Sequence, residues 1–489
     1  MKEYDVIVIG SGAGASLVND ALEHNKTVAM VDKGPVGGTC LNVGCIPTKL
    51  IVYPADRIME IREAKKFGIT AEIKSIDFKA IMDRMRSNVK KSHDRIQDAL
   101  ATAKDFDFYF GEARFTGDYT LEVHPVRDPS QNAQNIEPLS HSAKNDPSNA
   151  VSNGVNQTIK GKTIFIASGA RPLIPPIKGI DDVPYLTNES ALQLTKLPES
   201  MIIIGGGYIA VEFAHFFEAV GTKVTIIQRN QHLVPDEEPE IAELLQTALS
   251  RRMTIHTNTE AVEVRKSDAG ITVTARERGG KTMELAAQTL LIAAGRRSNA
   301  DLLQVEKTGV KTNERGYIVV DDHFETTKSN IWSFGDAIGK KMFRHSANEE
   351  AELAWHNAVH GKKSRINYIT VPHAVFSFPE IASVGLTEAQ AIKLMGKKEL
   401  LVGKALYTEV ARGEAMMERE GFAKAVVLRK TGKILGYHII GPQASILIQE
   451  VVNAMAADGN LWSVAKGMHI HPALSEVVLK AFGKLEEPK

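Results

Sequence analysis

One pattern occurs twice in this chain, and each occurrence calls for a parallel β-sheet with helices packed on it. The run Tyr4-Asp5-Val6-Ile7-Val8-Ile9 reads as a buried strand. It enters Gly10-Ser11-Gly12-Ala13-Gly14-Ala15, then a helical stretch from about Ala15 to Glu23, then a second strand from Thr27 to Val31 that ends at Asp32. Near the middle, Met201-Ile202-Ile203-Ile204 leads into Gly205-Gly206-Gly207-Tyr208-Ile209-Ala210, a helix from about Ile209 to Ala219 and the strand Lys223–Ile227. Strand, glycine turn, helix and returning strand form a βαβ unit. The expected class is α/β, with two Rossmann-like dinucleotide-binding domains. After about Tyr368 the signals change to strands such as Ala374-Val375-Phe376-Ser377-Phe378 followed by helices, which predicts a separate C-terminal α+β domain.

At 489 residues the chain has room for about three domains of roughly 150 residues each. Lys+Arg 59 balance Asp+Glu 59, so no bulk field points to nucleic acid or to an anionic membrane. No apolar stretch approaches the roughly 18 residues of a membrane span. The opening Met1-Lys2-Glu3-Tyr4 runs directly into a strand, leaving no room for a signal peptide, so a cytoplasmic location is expected. The stretch from about 125 to 157 is rich in Ser, Asn, Pro and Asp and reads as an exposed or disordered insertion without chemistry.

Small residues in the first glycine loop let backbone N–H groups approach a pyrophosphate at a helix N-terminus. Asp32, 22 positions after Gly10, is placed to accept from a ribose hydroxyl. Ala15 stands where a third glycine would pack the helix closely on the strand. The second unit ends its returning strand in Gln228-Arg229, where an NAD site would want an acid. An arginine there can pair with a 2′-phosphate, which favours NADPH, although a strand-end arginine can also be only a solvated charge.

Only two cysteines occur, five residues apart, in Gly37-Gly38-Thr39-Cys40-Leu41-Asn42-Val43-Gly44-Cys45-Ile46-Pro47-Thr48-Lys49. Flanking the first turn of a helix they could reach disulfide range, and the helix N-terminus would lower a thiol pKa. Two inert buried thiols are the alternative. A zinc site would need more clustered Cys or His ligands, so no metal is expected. Near the C-terminus, His471 and Glu476 sit five apart, an arrangement that suits either a helix cap or a proton-transferring histidine held by a carboxylate.

The cysteine segment strongly resembles the redox motif of the pyridine nucleotide-disulfide oxidoreductases, and the resemblance covers nearly the whole chain outside the polar insertion. It implies FAD on the first unit, at Gly10, Gly12, Gly14, Ala15, Asp32, Lys33, Gly38, Thr39 and Lys49. It extends the FAD site to Ser168 and Gly169 in a strand-to-loop crossing and to Gly335 and Asp336, the aspartate binding the ribityl chain. It implies NADP or NAD on the second unit, at Gly205, Gly207, Tyr208, Ile209, Arg229 and Gly295. The two crossings depart from the family's Ala-Thr-Gly at Ser168 and Ala294. By the same resemblance Cys45 faces the flavin, Cys40 is the interchange thiol, and Lys49 with Glu212 forms an ion pair near the flavin ring. His471 is then the acid–base residue, Glu476 its partner, and the chain a homodimer in which His471 reaches the other subunit's cysteines. The implied domains are FAD-binding in two parts (1–180 and 300–367), NAD(P)-binding (181–299) and dimerisation (368–489).

The substrate stays open between two small molecules. Dihydrolipoamide dehydrogenases are resembled in the Cys40–Lys49 segment and in His469-x-His471-Pro472, which would bring a lipoyl-domain partner. Mycothione reductases are resembled in Val52-Tyr53 with Ala55, in Ser445 to Gln449, in Pro472-Ala473-Leu474 with Glu476-Val477-Val478, and in Arg229; this reading, shared with glutathione reductase-like enzymes, implies an NADPH-dependent disulfide reductase. Mercuric and large thioredoxin reductases are less favoured, because no further cysteine follows Cys45. A flavin oxidase or transhydrogenase and a redox-silent nucleotide-binding protein are further alternatives; neither would need Cys40 and Cys45.

Overall fold

The computed structural model describes residues 1–102, 106–126, 156–268, 270–361 and 363–488. It divides into two compact units, each assembled from three chain segments: Met1–Pro47, Asp83–Pro172 and Arg296–Ile366 in the first, and Thr48–Met82, Leu173–Gly295 and Asn367–Lys489 in the second.

In the first unit, strand Lys2–Ile9 pairs in parallel with Val28–Asp32 on one side and with Gln157–Ile166 on the other. Phe106–Gly117 and Ile331–Ser333 extend the sheet outward in the two directions. Strand order therefore reverses at the first strand, and the crevice beyond its carboxyl end, where Gly10 lies, is where open α/β sheets bind ligands. Val6 to Ile9 are all buried, which is why this strand lacks the alternation of a half-exposed one. The far half of Phe106–Gly117 leaves the parallel sheet and continues antiparallel through Thr120–Pro125 to Gln157–Ile166. The polar stretch between those two strands lies outside the described residues.

The second unit holds a parallel four-stranded sheet in the order Thr289–Ile292, Ser200–Ile204, Lys223–Ile227, Thr254–His256, and a three-stranded antiparallel sheet from Thr259 to Ala287. It also holds a five-stranded antiparallel sheet in the order His373–Val375, Ile381–Gly385, Ile434–Ile440, Phe422–Leu428, Leu400–Leu406. Helices Ala444–Ala457 and Glu476–Phe482 bury Leu447, Val451, Val477 and Val478 against Tyr437 and Ile439 of that sheet. The α/β architecture with two nucleotide-binding folds and a C-terminal α+β part is the one the sequence patterns require. One expected strand is shorter than read: the run from Ala374 stops at Val375. Val375 pairs with Ile381, so the residues between them form the turn of a hairpin that includes Pro379, and Phe376 is released for another use. No helix among the described residues is long and apolar enough to cross a membrane.

The five-stranded sheet contains a buried charge cluster that periodicity does not reveal. Lys424 points inward and its Nζ lies 2.8 Å from Glu240, 2.7 Å from Glu388 and 3.5 Å from Glu238. Burial alone would lower its pKa, but hydrogen bonds to Glu240 and Glu388 and the charge of Glu238 outweigh it and hold the ammonium well above the ordinary lysine range. A raised pKa contributes stability that is present below the ordinary lysine pKa and is lost as pH rises through the folded one. Replacing Lys424 with Met leaves the buried Glu238 and the half-buried Glu388 without that cation, while the more exposed Glu240 keeps its pair with Lys404. We expect a loss of about 3–5 kcal/mol, read by calorimetry as a fall in the melting transition of the second unit that narrows as pH approaches the alkaline limit. An unchanged transition would contradict this.

Candidate active site

The first glycine loop is shaped by close backbone approach. Gly10 has φ +104°, and a Cβ there would lie 2.3 Å from the carbonyl oxygen of Ala167, so only glycine fits. A Cβ at Gly14 would stand 2.8 Å from Val8 and 3.0 Å from the Ala167 methyl. Close packing of helix on strand thus falls at Gly14, one residue before the Ala15 position assigned to it from motif spacing. The cause is local: the chain enters through a 3-10 turn, Ala13–Ala15, before the α-helix Ser16–Glu23 begins. No side chain caps this entry, so its N–H groups remain available to an anion. Asp32 binds the loops together as well as closing its strand, with Oδ2 accepting from Ser11 N–H at 2.6 Å and Oδ1 from Gly34 N–H at 2.7 Å. Lys33 is exposed and lies 3.5 Å from Glu112.

The same loop meets the cysteine segment. Gly37 donates to Ser11 Oγ at 2.9 Å, and a Cβ on Gly38 would be 2.8 Å from the Gly12 Cα. Cys40 lies within the short helix Gly38–Asn42, and Cys45 opens the next helix, Cys45–Glu63. The pair therefore spans a break between two helices instead of flanking one first turn. At the break, a Cβ on Gly44 would sit 2.9 Å from the Thr39 carbonyl oxygen and 3.4 Å from the Cys40 Cα, so the chain doubles back onto the first cysteine just before the second. Asn42 fixes the turn by donating to the carbonyls of Pro35, Val36 and Gly38. Cys40 is half-buried and Cys45 exposed.

Two further crossings complete this side. Ser168 follows strand Gln157–Ile166, and its hydroxyl is buried with no partner among the described residues. Gly335-Asp336 follows strand Ile331–Ser333, and the fully buried Glu350 holds the turn by accepting from Gly335 N–H at 2.6 Å. Asp336 faces Arg296, whose Nε is 3.2 Å from Oδ2, near enough for charge attraction but off the line of a hydrogen bond. Burial pushes the Asp336 carboxyl up, and Arg296 pulls it part of the way back. A glycine cradle, an orphaned buried hydroxyl and a half-buried carboxylate fit the pyrophosphate, ribose and ribityl groups of FAD.

In the second unit Gly205 repeats the strained opening, with φ +120° and the Ala293 carbonyl oxygen 2.2 Å from where its Cβ would be. Around Gly207, the N-cap of helix Tyr208–Ala219, nothing comes within 4 Å of the corresponding point, which leaves room for a nucleotide over the Tyr208-Ile209 end of the helix. Gln228 is buried against Gly206 at the end of the returning strand, and Arg229 beyond it is exposed. Gly295 closes the crossing after Thr289–Ile292, with φ +130°.

Lys49 lies one turn along the helix that Cys45 begins, and its Nζ is bidentate to Glu212 at 2.9 and 2.8 Å. Glu212 is buried; desolvation raises its pKa, and Lys49, then the Phe376 N–H, oppose that. The Phe376 ring also lies under the Lys49 ammonium at 4.5 Å. Phe376 was not legible as part of this group, because it sits in a run that reads as strand. At the far end of the chain, His471 Nδ1 is 2.8 Å from Glu476 Oε1, and Glu476 Oε2 accepts from Ala473 N–H at 3.0 Å. Glu476 is also the first residue of its helix, but the N-cap residue Ser475 makes no capping hydrogen bond and Ala473 precedes the helix, so the Glu476 carboxylate serves the histidine dyad and not a helix cap. The hydrogen bond from His471, then the Ala473 N–H, lower the Glu476 pKa. A carboxylate acceptor fixes the proton on Nδ1 and leaves Nε2 outward on a side chain that is 73% exposed.

Two nucleotide folds, a cysteine pair on the first and a carboxylate-held histidine at the end define a redox enzyme class that works through thiols. The chain belongs to the pyridine nucleotide-disulphide oxidoreductase family: the family profile matches residues 4–359 and its dimerisation domain matches residues 371–482. It is accordingly an FAD-dependent enzyme that acts on sulfur groups with NAD(P). Mycothione reductase of Mycobacterium tuberculosis is 34% identical over 98% of this chain and 99% of its own. Dihydrolipoyl dehydrogenase of Geobacillus stearothermophilus is 32% identical, over 98% and 95%, and mercuric reductase of Streptomyces lividans 32%, over 97% and 94%. Among solved structures, the Cu(II) complex of the HOCl-induced flavoprotein disulfide reductase RclA from Escherichia coli superposes with TM-score 0.82 at 29% identity, covering 99% of each chain.

Proposed function

We propose that this protein is a homodimeric, NADPH-dependent reductase of a small disulfide. The observation that carries the nucleotide choice is Gln228-Arg229. The place where an acid would accept from the ribose hydroxyls of NAD holds a buried amide, followed by an exposed guanidinium with no ion pair among the described residues. FAD, when bound, takes hydride from the nicotinamide and passes the electron pair to a disulfide. Cys45 opens the helix Cys45–Glu63, and a helix N-terminus favours a thiolate. With the Cys40–Cys45 bond opened, the Cys40 thiolate attacks the substrate disulfide. The substrate S–S bond breaks, a mixed disulfide forms, and His471 of the partner subunit gives the departing thiol its proton through Nε2. Cys45 then attacks the Cys40 sulfur, releases the second thiol and restores the Cys40–Cys45 bond.

Replacing Arg229 with Glu is expected to raise the KM for NADPH about 10- to 100-fold and leave that for NADH nearly unchanged, since charge-assisted hydrogen bonds contribute about 1.5–3 kcal/mol. Steady-state kinetics with both nucleotides check this, and an unaltered preference would remove the basis of the nucleotide assignment. Turnover of mycothione, glutathione disulfide and lipoamide with NADPH then selects the substrate. A second reading is favoured by His469-x-His471-Pro472, which resembles dihydrolipoamide dehydrogenases. The same groups run backwards oxidise a dithiol, with a lipoyl domain as partner, and dihydrolipoamide oxidation by NAD faster than any NADPH-linked reduction would establish it in place of the first.

A further inference from the structure

His471 is not the only histidine of its segment with a carboxylate partner. His469 Nε2 lies 3.0 Å from Oε2 of Glu450, on helix Ala444–Ala457, and its Nδ1 lies 3.0 Å from the Gly467 carbonyl oxygen. A carbonyl only accepts, so Nδ1 carries a hydrogen, and Nε2 and the carboxyl share the other proton between them. The segment these bonds hold is otherwise loose. Between helices Leu461–Ala465 and Glu476–Phe482, Met468 is fully exposed and Ile470 is 77% exposed. Among the described residues no backbone hydrogen bond ties residues 468–472 to the rest of the unit. The dyad with Glu476 secures His471 from the C-terminal side only, so the tie from the N-terminal side is the His469 ring.

Glu450 carries a second mark. Its Oε1 is buried and has no hydrogen-bond partner among the described residues, so its one polar contact of this kind is the bond to His469. Burial raises its pKa, with His469 opposing. Glu450 is half-buried, but a carboxyl oxygen that is itself buried and unsatisfied is costly, and a leucine would pack at that helix position without the cost. We infer that Glu450 and His469 are positioning residues that mount the segment bearing His471 on the Ala444–Ala457 helix, holding Nε2 of His471 where the partner subunit's disulfide chemistry needs it. This rests on the reading of His471 as the acid–base group.

Four single variants of the holoenzyme and one double variant test it by separate half-reactions; the single ones are His469→Ala, Glu450→Ala, Glu450→Gln and His471→Gln. The two alanine variants are expected to lower kcat for disulfide reduction about 10- to 100-fold, the scale on which an ångström of misplacement acts, while NADPH bleaches the flavin at the parent rate. Glu450→Gln, whose amide N–H can donate to Nε2 while Nδ1 keeps its bond to the Gly467 carbonyl, is expected to keep turnover within about 3-fold of the parent. The double variant His469→Ala/His471→Gln is expected to be no slower than His471→Gln alone, because the first residue acts through the second. Should the alanine variants fail to fold, His469→Phe keeps the ring volume without either N–H and must show the same kcat loss. Full turnover in His469→Ala or His469→Phe, or a multiplicative loss in the double variant, overturns the inference. Full turnover in His471→Gln overturns the underlying reading instead.

Discussion

Replacing Cys40 with serine is expected to abolish disulfide turnover, by about 10³-fold or more, and to leave NADPH oxidation by an artificial quinone acceptor running. The interchange role needs a thiolate that attacks sulfur, and a serine hydroxyl is not ionised at neutral pH. The first half of the cycle, from nicotinamide to FAD, involves neither cysteine directly. The loop supports this division: Asn42, Gly44 and the Ser11–Gly37 hydrogen bond hold the backbone around Cys40 without using its side chain. The serine variant should therefore fold and bind FAD normally. Steady-state assays with a disulfide and with a quinone, side by side, check the prediction. Equal loss in both assays would mean that the residue supports the cofactor site, and no loss in either would assign the electrons another route.

The second large effect concerns the dimer. His471→Gln and Cys40→Ser homodimers should each be nearly inactive, the first by about 10²- to 10⁴-fold. A heterodimer of the two contains one site with both defects and one with neither, provided the histidine acts on the other subunit's cysteines. Mixed and refolded in equal amounts, the two inactive proteins should recover about a quarter of parental activity, since about half of the dimers are mixed and each has one of two sites intact. If His471 served its own chain, every site would keep one defect and no activity would return. The exposure of His471 and of its neighbour Ile470 is what a residue directed at another chain requires.

Much of the fold was legible because its signals are local. A strand, a glycine turn and a helix lie within about 25 residues of one another, so both nucleotide folds can be read from spacing, and the strains at Gly10 and Gly205 fall where the motifs put them. The fine placement of Gly14 for Ala15 was missed because a single 3-10 turn shifts the helix register, and spacing carries no trace of that. His471 and Glu476 are five residues apart, and their hydrogen bond follows from one turn of chain. The groups that escaped notice are assembled over long separations. Phe376 meets Glu212 across 164 positions, and Lys424 meets Glu240 across 184. Glu350, one of a pair of glutamates in the helix Arg344–His360, looks like a solvated charge until the Gly335 turn is placed on it. Glu450 is hidden in the same way. Periodicity reports which face of an element is apolar; it does not report which distant backbone or side chain a polar residue will meet.

The central claim, that the Cys40–Cys45 pair opens and closes against the flavin, is tested most directly by anaerobic titration of the purified holoenzyme with NADPH. The account predicts uptake of about two equivalents per flavin, one for the flavin and one for the disulfide, with a long-wavelength thiolate-to-flavin absorbance band rising near the first equivalent and absent in Cys45→Ser. Complete bleaching after a single equivalent, with no such band in the parent protein, would contradict it.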